Sequence, residues 1–318
     1  MRTPSTAILQ LAVAVTLFLG CDTQKDGVIV EPRLSSFANS EWSAPVNIGA
    51  PVNTSFNEQG PTLSNDGLSL YFGSDRQPGG VGGFDIWVSR RACTDCPWGA
   101  PENLGPVVNS SAAETGPSLS VDGHLLFFRS TRVGGQGDVY LSRRANPKDD
   151  FGWGPPVALG PGVNTAAEEA GAEYLQSAED GIANLYFNRA VPPAGADLYR
   201  ASVTRDGETR GPAELIAELS HPVATDQGPT LRNDGREILF FSNRPGSAAT
   251  DIWRSTRRSV HHPWAAPVNA GIPPNSAAFE QQPNLADQGR TLLFASNRSP
   301  GGFGGTDIWM STRTPSGN

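Results

Sequence analysis

The chain has 318 residues, with 36 glycines, 27 prolines and a formal net charge of −8. The acidic balance and the lack of any Lys/Arg cluster argue against a nucleic-acid partner, which would be bound by a basic stripe. Abundant Gly and Pro beside 37% hydrophobic residues are typical of a turn-rich globular protein and exclude a largely disordered chain. The length suffices for one large β domain or two ordinary domains.

The first twenty residues have the organisation of a secretory signal peptide. Arg2 supplies a positive start, and residues 7–19 form an apolar stretch too short to span a bilayer comfortably. The stretch ends Phe18-Leu19-Gly20-Cys21, which resembles a bacterial lipobox except that Phe18 stands where Leu is usual. We therefore expect residues 1–20 to be removed and Cys21 to carry lipid. A plain secretory signal with an incidental Cys is the alternative.

Residues 21–41 are polar and aperiodic, and are expected to form the lipid anchor and a flexible tether. The predicted location is the cell envelope, with the chain held to a membrane only through lipid and its domain facing the periplasm or the exterior. Which membrane carries the anchor is left open.

Export places the other two cysteines in an oxidising compartment. Cys93 and Cys96 lie three residues apart between two repeat units, and we expect them to form a local disulfide. A redox-active pair would need a strand-to-helix context, which is missing from the pattern. A zinc site would need a second ligand pair, and the four His show no matching spacing.

One block of sequence occurs five times. It reads Gly-Pro-x-Leu-Ser, Asp-Gly, an apolar run ending in Ser-x-Arg, a glycine-rich gap and Asp-Ile-Trp. The copies open at Gly60, Gly116, Gly171, Gly228 and Gln282. Within a copy the pattern predicts four short strands joined by tight turns. Four strands repeated at this period are typical of a propeller blade.

The ends of the chain predict how the ring closes. The last copy ends after its third strand, at Arg313, and no fourth strand follows. The segment Trp42–Ile48 instead matches the fourth segments of other copies, as at Trp98 and Trp264. We therefore predict an all-β, five-bladed propeller over residues 42–318, with the N-terminal strand completing the last blade. Closure in this way removes exposed sheet edges.

The repeats resemble the WD-like propeller repeats of the TolB type, through Pro-x-Leu-Ser-x-Asp-Gly, Phe-x-Ser-x-Arg and Asp-Ile-Trp. The resemblance extends from Trp42 to Arg313. It implies an exported protein that acts as an envelope binding or scaffolding module. The chain shows neither the N-terminal α/β domain of TolB nor a peptidoglycan-binding domain, so a role in the Tol–Pal system is not implied.

Most residues that resemble chemical groups recur at equivalent positions, which favours structural roles. The seven Trp fall at two repeat positions and are expected to pack between blades rather than stack on sugars. An Arg and an Asp flank each glycine-rich gap, as Arg76 and Asp85 do, and either pair across the hairpin or bind loop N–H groups. The glycine-rich loops lack the Lys-Ser/Thr of a phosphate-binding loop.

One acidic set precedes the innermost strands, where it would form a ring at a mouth of the central channel. Its members are Glu58, Glu114, Glu169, Asp226 and Glu280. Neighbouring carboxylates about 8 Å apart would repel by roughly 2 kcal/mol each. Either the side chains turn aside to bind backbone N–H groups, or calcium, another cation or a ligand amine lies among them. No other cofactor is expected.

The sequence predicts no catalytic residues, because no nucleophile–base constellation is present. The first functional hypothesis is a non-enzymatic, lipid-anchored module that binds an envelope protein or glycan. The alternative is a glycan-binding or glycoside-hydrolysing propeller with its site in the central channel. Three or more non-equivalent carboxylates in a deep channel pocket would favour the alternative.

Overall fold

Twenty short strands form five sheets of four strands each in the described part of the chain. The computed structural model describes Met1, Phe37, residues 40–193 and residues 195–315. Cys21 and the signal segment lie outside the described residues. All five sheets belong to one compact unit that runs from residue 35 to residue 318.

The first two sheets, blades 1 and 2, are built in chain order. Blade 1 comprises β2 (Glu58–Leu63), β3 (Ser69–Ser74), β4 (Asp85–Arg90) and β5 (Glu102–Asn103). Blade 2 comprises β6 (Glu114–Leu119), β7 (Leu125–Ser130), β8 (Asp138–Arg143) and β9 (Val157–Ala158). Each strand pairs antiparallel with the next.

Blades 3 and 4 follow the same order. Blade 3 comprises β10 (Glu169–Gln176), β11 (Ala183–Val191), β12 (Gly195–Val203) and β13 (Glu214–Leu215). Blade 4 comprises β14 (Asp226–Leu231), β15 (Glu237–Ser242), β16 (Asp251–Thr256) and β17 (Val268–Asn269). The second and third strands of blade 3 have nine residues each, against six in blade 4.

Blade 5 joins both ends of the domain. It comprises β18 (Glu280–Ala286), β19 (Thr291–Ser296), β20 (Asp307–Thr312) and the N-terminal β1 (Val46–Asn47), with a short 3₁₀ turn at Asp287–Gly289. Strand β1 pairs antiparallel with β20, Val46 opposite Met310. The predicted five-bladed propeller, closed by its N-terminal strand, is confirmed.

The innermost strand of each blade has a β-bulge, which is formed by Gly-Pro in blades 1, 2 and 4, by Gly171-Ala172 in blade 3 and by Gln282-Pro283 in blade 5. In blade 1 the register shifts between Gln59 and Thr62, and the other inner strands shift at the equivalent place. Gly60 has φ +56, and a Cβ there would lie 2.9 Å from the Cα of Gly116 in the next blade. The glycine is needed because neighbouring inner strands approach so closely around the channel.

The seams between blades are packed by Trp side chains beneath arginine guanidinium groups. Arg144 lies over Trp153 at 4.3 Å and Arg257 over Trp264 at 4.1 Å, each donating through Nε to the carbonyl of an Asp-Gly turn. Six of the seven Trp are at least nine-tenths buried and Trp98 is partly buried. They therefore pack and stack with Arg instead of offering a surface platform for sugars.

Candidate functional site

The predicted acidic set lies beneath the propeller surface, not on the wall of the channel. Glu58 is fully buried and accepts hydrogen bonds from the backbone N–H and hydroxyl of Thr54 (2.9 and 2.6 Å) and from Ser74 (3.2 Å). Arg76 Nη2 donates to the same carboxylate at 3.0 Å. Equivalent pairs join Arg132 to Glu114, Arg189 to Glu169, Arg244 to Asp226 and Arg298 to Glu280. The five carboxylates are thus separate, each within its own blade.

The arginine of each Ser-x-Arg therefore pairs with the acid at the head of the inner strand, not with the Asp across the hairpin. Asp85 instead accepts hydrogen bonds from the N–H groups of Val81 (2.5 Å) and Gly82 (3.2 Å) and from Asn103 (3.1 Å). The Asp thus anchors the glycine-rich loop, which was one of the two roles considered for it. Buried Arg76 has a lowered pKa because burial outweighs the carboxylate beside it.

We expect calcium to leave the melting temperature unchanged. Each acid at the head of an inner strand already has a guanidinium partner and N–H or hydroxyl donors, so none of these five carboxylates is free to bind a metal. In the described residues no group of three or more His, Cys, Asp or Glu is arranged to hold a metal ion. The measurement is thermal unfolding at about 10 mM calcium, a concentration that saturates weak extracellular sites. Magnesium at the same ionic strength is the control, and a calcium-specific rise of more than about 2 °C would contradict the expectation.

Cys93 and Cys96 are joined by a disulfide, with their Cα atoms 5.0 Å apart. The bridge lies in the exposed loop between β4 and β5, away from the channel. Its loop is only four residues long, so the bridge restricts the unfolded chain little. It therefore belongs to the loop and not to the candidate site.

The central channel opens at one end into a cavity of about 430 Å³. All five inner strands contribute to its wall through their bulges. Its polar lining includes Gln59, Thr115, Ser118, Arg129, Glu168, Glu173, Asn188, Gln227, Gln281, Gln282 and Asn284, and its aromatic lining is Phe84 and Phe241. The volume is within the range of small-molecule sites. We call this cavity the channel mouth.

Unlike side chains occupy equivalent positions around the channel mouth. The residue of the second strand that pairs with the second residue of the inner strand is Gly73 in blade 1, Arg129 in blade 2, Asn188 in blade 3, Phe241 in blade 4 and Ala295 in blade 5. Such variation on a repeated scaffold distinguishes a site from packing. Two carboxylates, Glu168 and Glu173, line this cavity.

Glu173 lies between two cavities of the channel, at a position that we call the waist. It and Asn284 line both the channel mouth and a second cavity of about 50 Å³ farther along the inner strands. The other blades have Thr62, Ser118, Thr230 and Asn284 at this register position. Ser118 Oγ donates to the Glu173 carboxylate at 2.7 Å. Blade 3 alone thus places an acid at the waist.

Burial raises the pKa of Glu173 to about 7, although hydrogen bonds from Ser118, Leu231 and Thr230 act in the opposite direction. The charged groups that share the channel mouth with it are Arg129 and Glu168, which lie 2.9 Å apart as an ion pair. The flanking inner strands β6 and β14 turn hydroxyl and N–H groups towards the carboxylate. The local surroundings therefore favour the protonated form near neutral pH.

Replacing Glu173 by Gln is expected to remove a pH dependence of stability. The unfolded carboxyl titrates near 4.5 and the folded one near 7, so the native state retains its proton between these values. The free energy of unfolding of the parent protein should therefore fall as pH rises through this window. Urea unfolding of parent and Glu173→Gln at pH 5 and pH 8 tests this, because only the parent should lose this contribution. The prediction is wrong if the difference in free energy of unfolding between the two proteins is the same at both pH values.

Gln282 occupies the bulge position that glycine takes in the other blades. Its φ is +50°, while the four glycines have φ between +56° and +61°. Its Oε1 is buried and has no hydrogen-bond partner in the described residues. Side chains other than Gly are strained in this region of backbone space, and such strain is concentrated at functional sites.

We expect Gln282→Gly to stabilise the protein by about 0.5–1 kcal/mol, because relief of the left-handed strain exceeds the added flexibility of the unfolded chain. The matched control is Gln281→Gly, the preceding residue, which is not in the left-handed region. Gln281→Gly should lower the free energy of unfolding by about 0.5–1 kcal/mol. Urea unfolding of both variants provides the measurement, and equal losses in the two would refute the strain argument.

The sequence reasoning missed the channel-mouth residues and selected the buried acids instead. Glu173 was detectable as the one acid in a repeat column of Thr, Ser and Asn. Gln282 was visible as the substitution in the Gly-Pro pair, although nothing local indicated where its amide would point.

Within the described ranges, no helix is long and apolar enough to cross a membrane.

No family model matches the chain, and no curated protein matches it. Several solved structures share its fold. A thermostable family-43 glycoside hydrolase is 14% identical with a TM-score of 0.57, covering 83% of this chain and 91% of its own. An α-L-arabinofuranosidase from Lactobacillus brevis is 13% identical with a TM-score of 0.57, covering 83% and 92%. A putative TolB from Agrobacterium tumefaciens is 21% identical with a TM-score of 0.47, covering 81% and 77%. The likeness to the two glycoside hydrolases is one of fold alone.

Proposed function

We propose that the chain is a lipid-anchored protein of the bacterial envelope whose propeller is a non-enzymatic binding module of the TolB-repeat type. Its partner, an envelope protein or glycan, docks at the channel mouth. The observation that carries this proposal is the channel mouth itself, where five repeated blades present unlike polar side chains around one cavity of about 430 Å³. A packing role alone would not require the blades to differ there.

The carboxylates favour binding over hydrolysis. Glycoside hydrolysis needs two acids free to act as acid and as base or nucleophile. Of the two carboxylates in the channel mouth, Glu168 is paired with Arg129 at 2.9 Å, while Glu173 is held at the waist by Ser118. Fewer than three non-equivalent acids line the cavity.

The proposal is tested by using the protein to capture its binding partner from a detergent extract of the envelope. The double variant Gln59→Trp and Gln227→Trp would fill the channel mouth from two opposite inner strands. Val157→Trp, on the exposed outermost strand of blade 2, is the matched control. A partner that the parent and control retain, and the double variant loses, supports the channel-mouth site. Retention by all three proteins would refute it.

The alternative is a glycan-binding or glycoside-hydrolysing propeller. It is favoured by the amide-rich wall of the channel mouth, since Gln and Asn side chains suit sugar hydroxyl groups. Hydrolysis of chromogenic arabinofuranosides and xylosides by the parent, lost in the double variant, would establish this alternative as enzymatic. Binding of unmodified glycans without turnover would establish it as a lectin-like function.

The lipid anchor has its own test. Phase partition in a cloud-point detergent should place the parent protein in the detergent phase and Cys21→Ser in the aqueous phase, because the second lacks the acceptor for lipid. The same distribution for both proteins would refute lipidation at Cys21. The membrane that holds the protein follows from fractionation of the two membranes.

A further inference from the structure

We propose that the waist of the channel binds a primary ammonium group, with the Glu173 carboxylate as its counter-ion. The proposal rests on the channel-mouth site proposed above and names the chemistry of its ligand. Two sources carry such a group: a lysine side chain of a partner protein and an amino sugar.

The first argument is the contrast with Glu237 and with the five acids at the heads of the inner strands. Each acid at the head of an inner strand pairs with an arginine, and Glu237 in blade 4 contacts three. Glu173 has hydroxyl and N–H donors, but no described Arg, Lys or His forms an ion pair with it. Neutral donors stabilise an anion without cancelling its charge, so Glu173, which is half-buried, is the acid of the channel mouth that no described cation neutralises.

The second argument is the supply of acceptors in the same cavity. The Oε1 of Gln282 is buried and unpartnered, and the amide groups of Gln59, Gln227 and Gln281 also face the channel mouth. An ammonium group offers three donors and no acceptor, so it needs a set of oxygen atoms around it. Gln282 has a positive φ and lines the channel mouth, and backbone strain of this kind is concentrated at ligand sites.

The third argument is access and charge. Among the described residues of the channel-mouth lining the one cation is Arg129, and it is paired with Glu168. Above about pH 7, where Glu173 is ionised, the lining therefore has a net negative charge of one. The whole chain has a net charge of −8, which attracts cations over longer range. A divalent metal would instead require several carboxylates around it, and the waist has one.

Calorimetric titration with two ammonium probes tests the proposal. The probes are the blocked peptide acetyl-Ala-Lys-Ala-amide and glucosamine, and each has a neutral counterpart, the Nε-acetyl-lysine peptide and N-acetylglucosamine. At about pH 8, where Glu173 is ionised, the parent should bind at least one ammonium probe about tenfold or more tightly than its acetylated form. The probe that binds identifies the source of the ammonium group.

Glu173→Gln should lower that affinity about tenfold or more. Glu214→Gln, which removes the same charge from an exposed pair with Arg200, should leave it unchanged. A second readout needs no variant: titrations in buffers of different ionisation enthalpy should show proton release near pH 7, because the bound ammonium displaces the proton of Glu173. The other charged groups of the channel mouth are Arg129 and Glu168, which form an ion pair with each other.

Three results would overturn the ammonium proposal: no binding of either probe up to about 10 mM, equal binding of the acetylated probes, or unchanged affinity in Glu173→Gln. These outcomes are separable from failure of the proposed function. A channel-dependent partner captured from the envelope in the absence of ammonium binding would remove this inference alone. If neither ammonium binding nor channel-dependent capture of a partner is observed, the proposed channel-mouth site is wrong as well.

Discussion

Glu237→Gln is expected to lower the free energy of unfolding by about 3–5 kcal/mol, the range measured when one partner of a buried ion pair is removed. Glu237 is fully buried at the start of β15. Arg313 donates to both of its oxygens, at 2.9 and 2.6 Å, and Arg254 donates to one at 2.5 Å. Without the carboxylate, these guanidinium groups would repel one another in a nearly dry environment.

Urea unfolding monitored by Trp fluorescence provides the measurement. Glu214→Gln is the matched control, because it removes an acid from the exposed pair with Arg200 and should change stability by about 0.5 kcal/mol or less. A loss below about 1 kcal/mol in Glu237→Gln would contradict the assigned role.

The same cluster predicts sensitivity to acid. Burial alone would raise the pKa of Glu237, but the hydrogen bonds and charges of Arg313, Arg254 and Arg232 outweigh it and hold the pKa below its ordinary value of 4.5. The stabilisation from Glu237 is therefore fully present above 4.5 and is lost as pH falls through the lower folded pKa. Glu237→Gln should lack this loss, so the two proteins should converge in stability on acidification.

Trp42→Ala is expected to cost about 3–5 kcal/mol and to open the ring. Trp42 is 8% exposed and belongs to the hydrophobic cluster between blades 4 and 5 that includes Trp309 and Phe294, while Arg313 stacks on its ring at 4.3 Å. Because β1 has only two residues, its backbone pairing with β20 is short. Packing of the Trp42 side chain therefore contributes much of the attachment of the N-terminal segment to β20. Its loss would expose the edge of β20 to other chains.

Urea unfolding and light scattering after gel filtration together test this. Trp98→Ala is the control, because Trp98 holds the same repeat position at a seam that the chain does not need for closure, and it is only partly buried. The control should lose less stability and remain monomeric. Equal losses and equal masses in both variants would contradict a special role for the closing seam.

The strand order and the closure were predictable because the repeats share their turn signals and because the surplus segment at Trp42 matches the missing one after Arg313. The partners of the inner-strand acids were not predicted, since Arg76 was compared with Asp85, the acid that flanks the same glycine-rich gap. In the structure Arg76 instead reaches Glu58, which lies opposite Ser74 in the β2–β3 ladder. The environment of Glu173 depends on contacts from two other blades, Ser118 and Thr230, which no local pattern encodes.

The bulges have a consequence for how this protein changes over evolution. Each bulge is anchored on its outer side by the buried acid and arginine, while residues such as Gln59, Thr115 and Gln227 face the channel mouth. Mutations at the channel-facing positions therefore leave the anchoring network intact and should be tolerated well. Ligand preference can diverge through such mutations without loss of the propeller, and a library randomised at these sites should consist mostly of folded proteins.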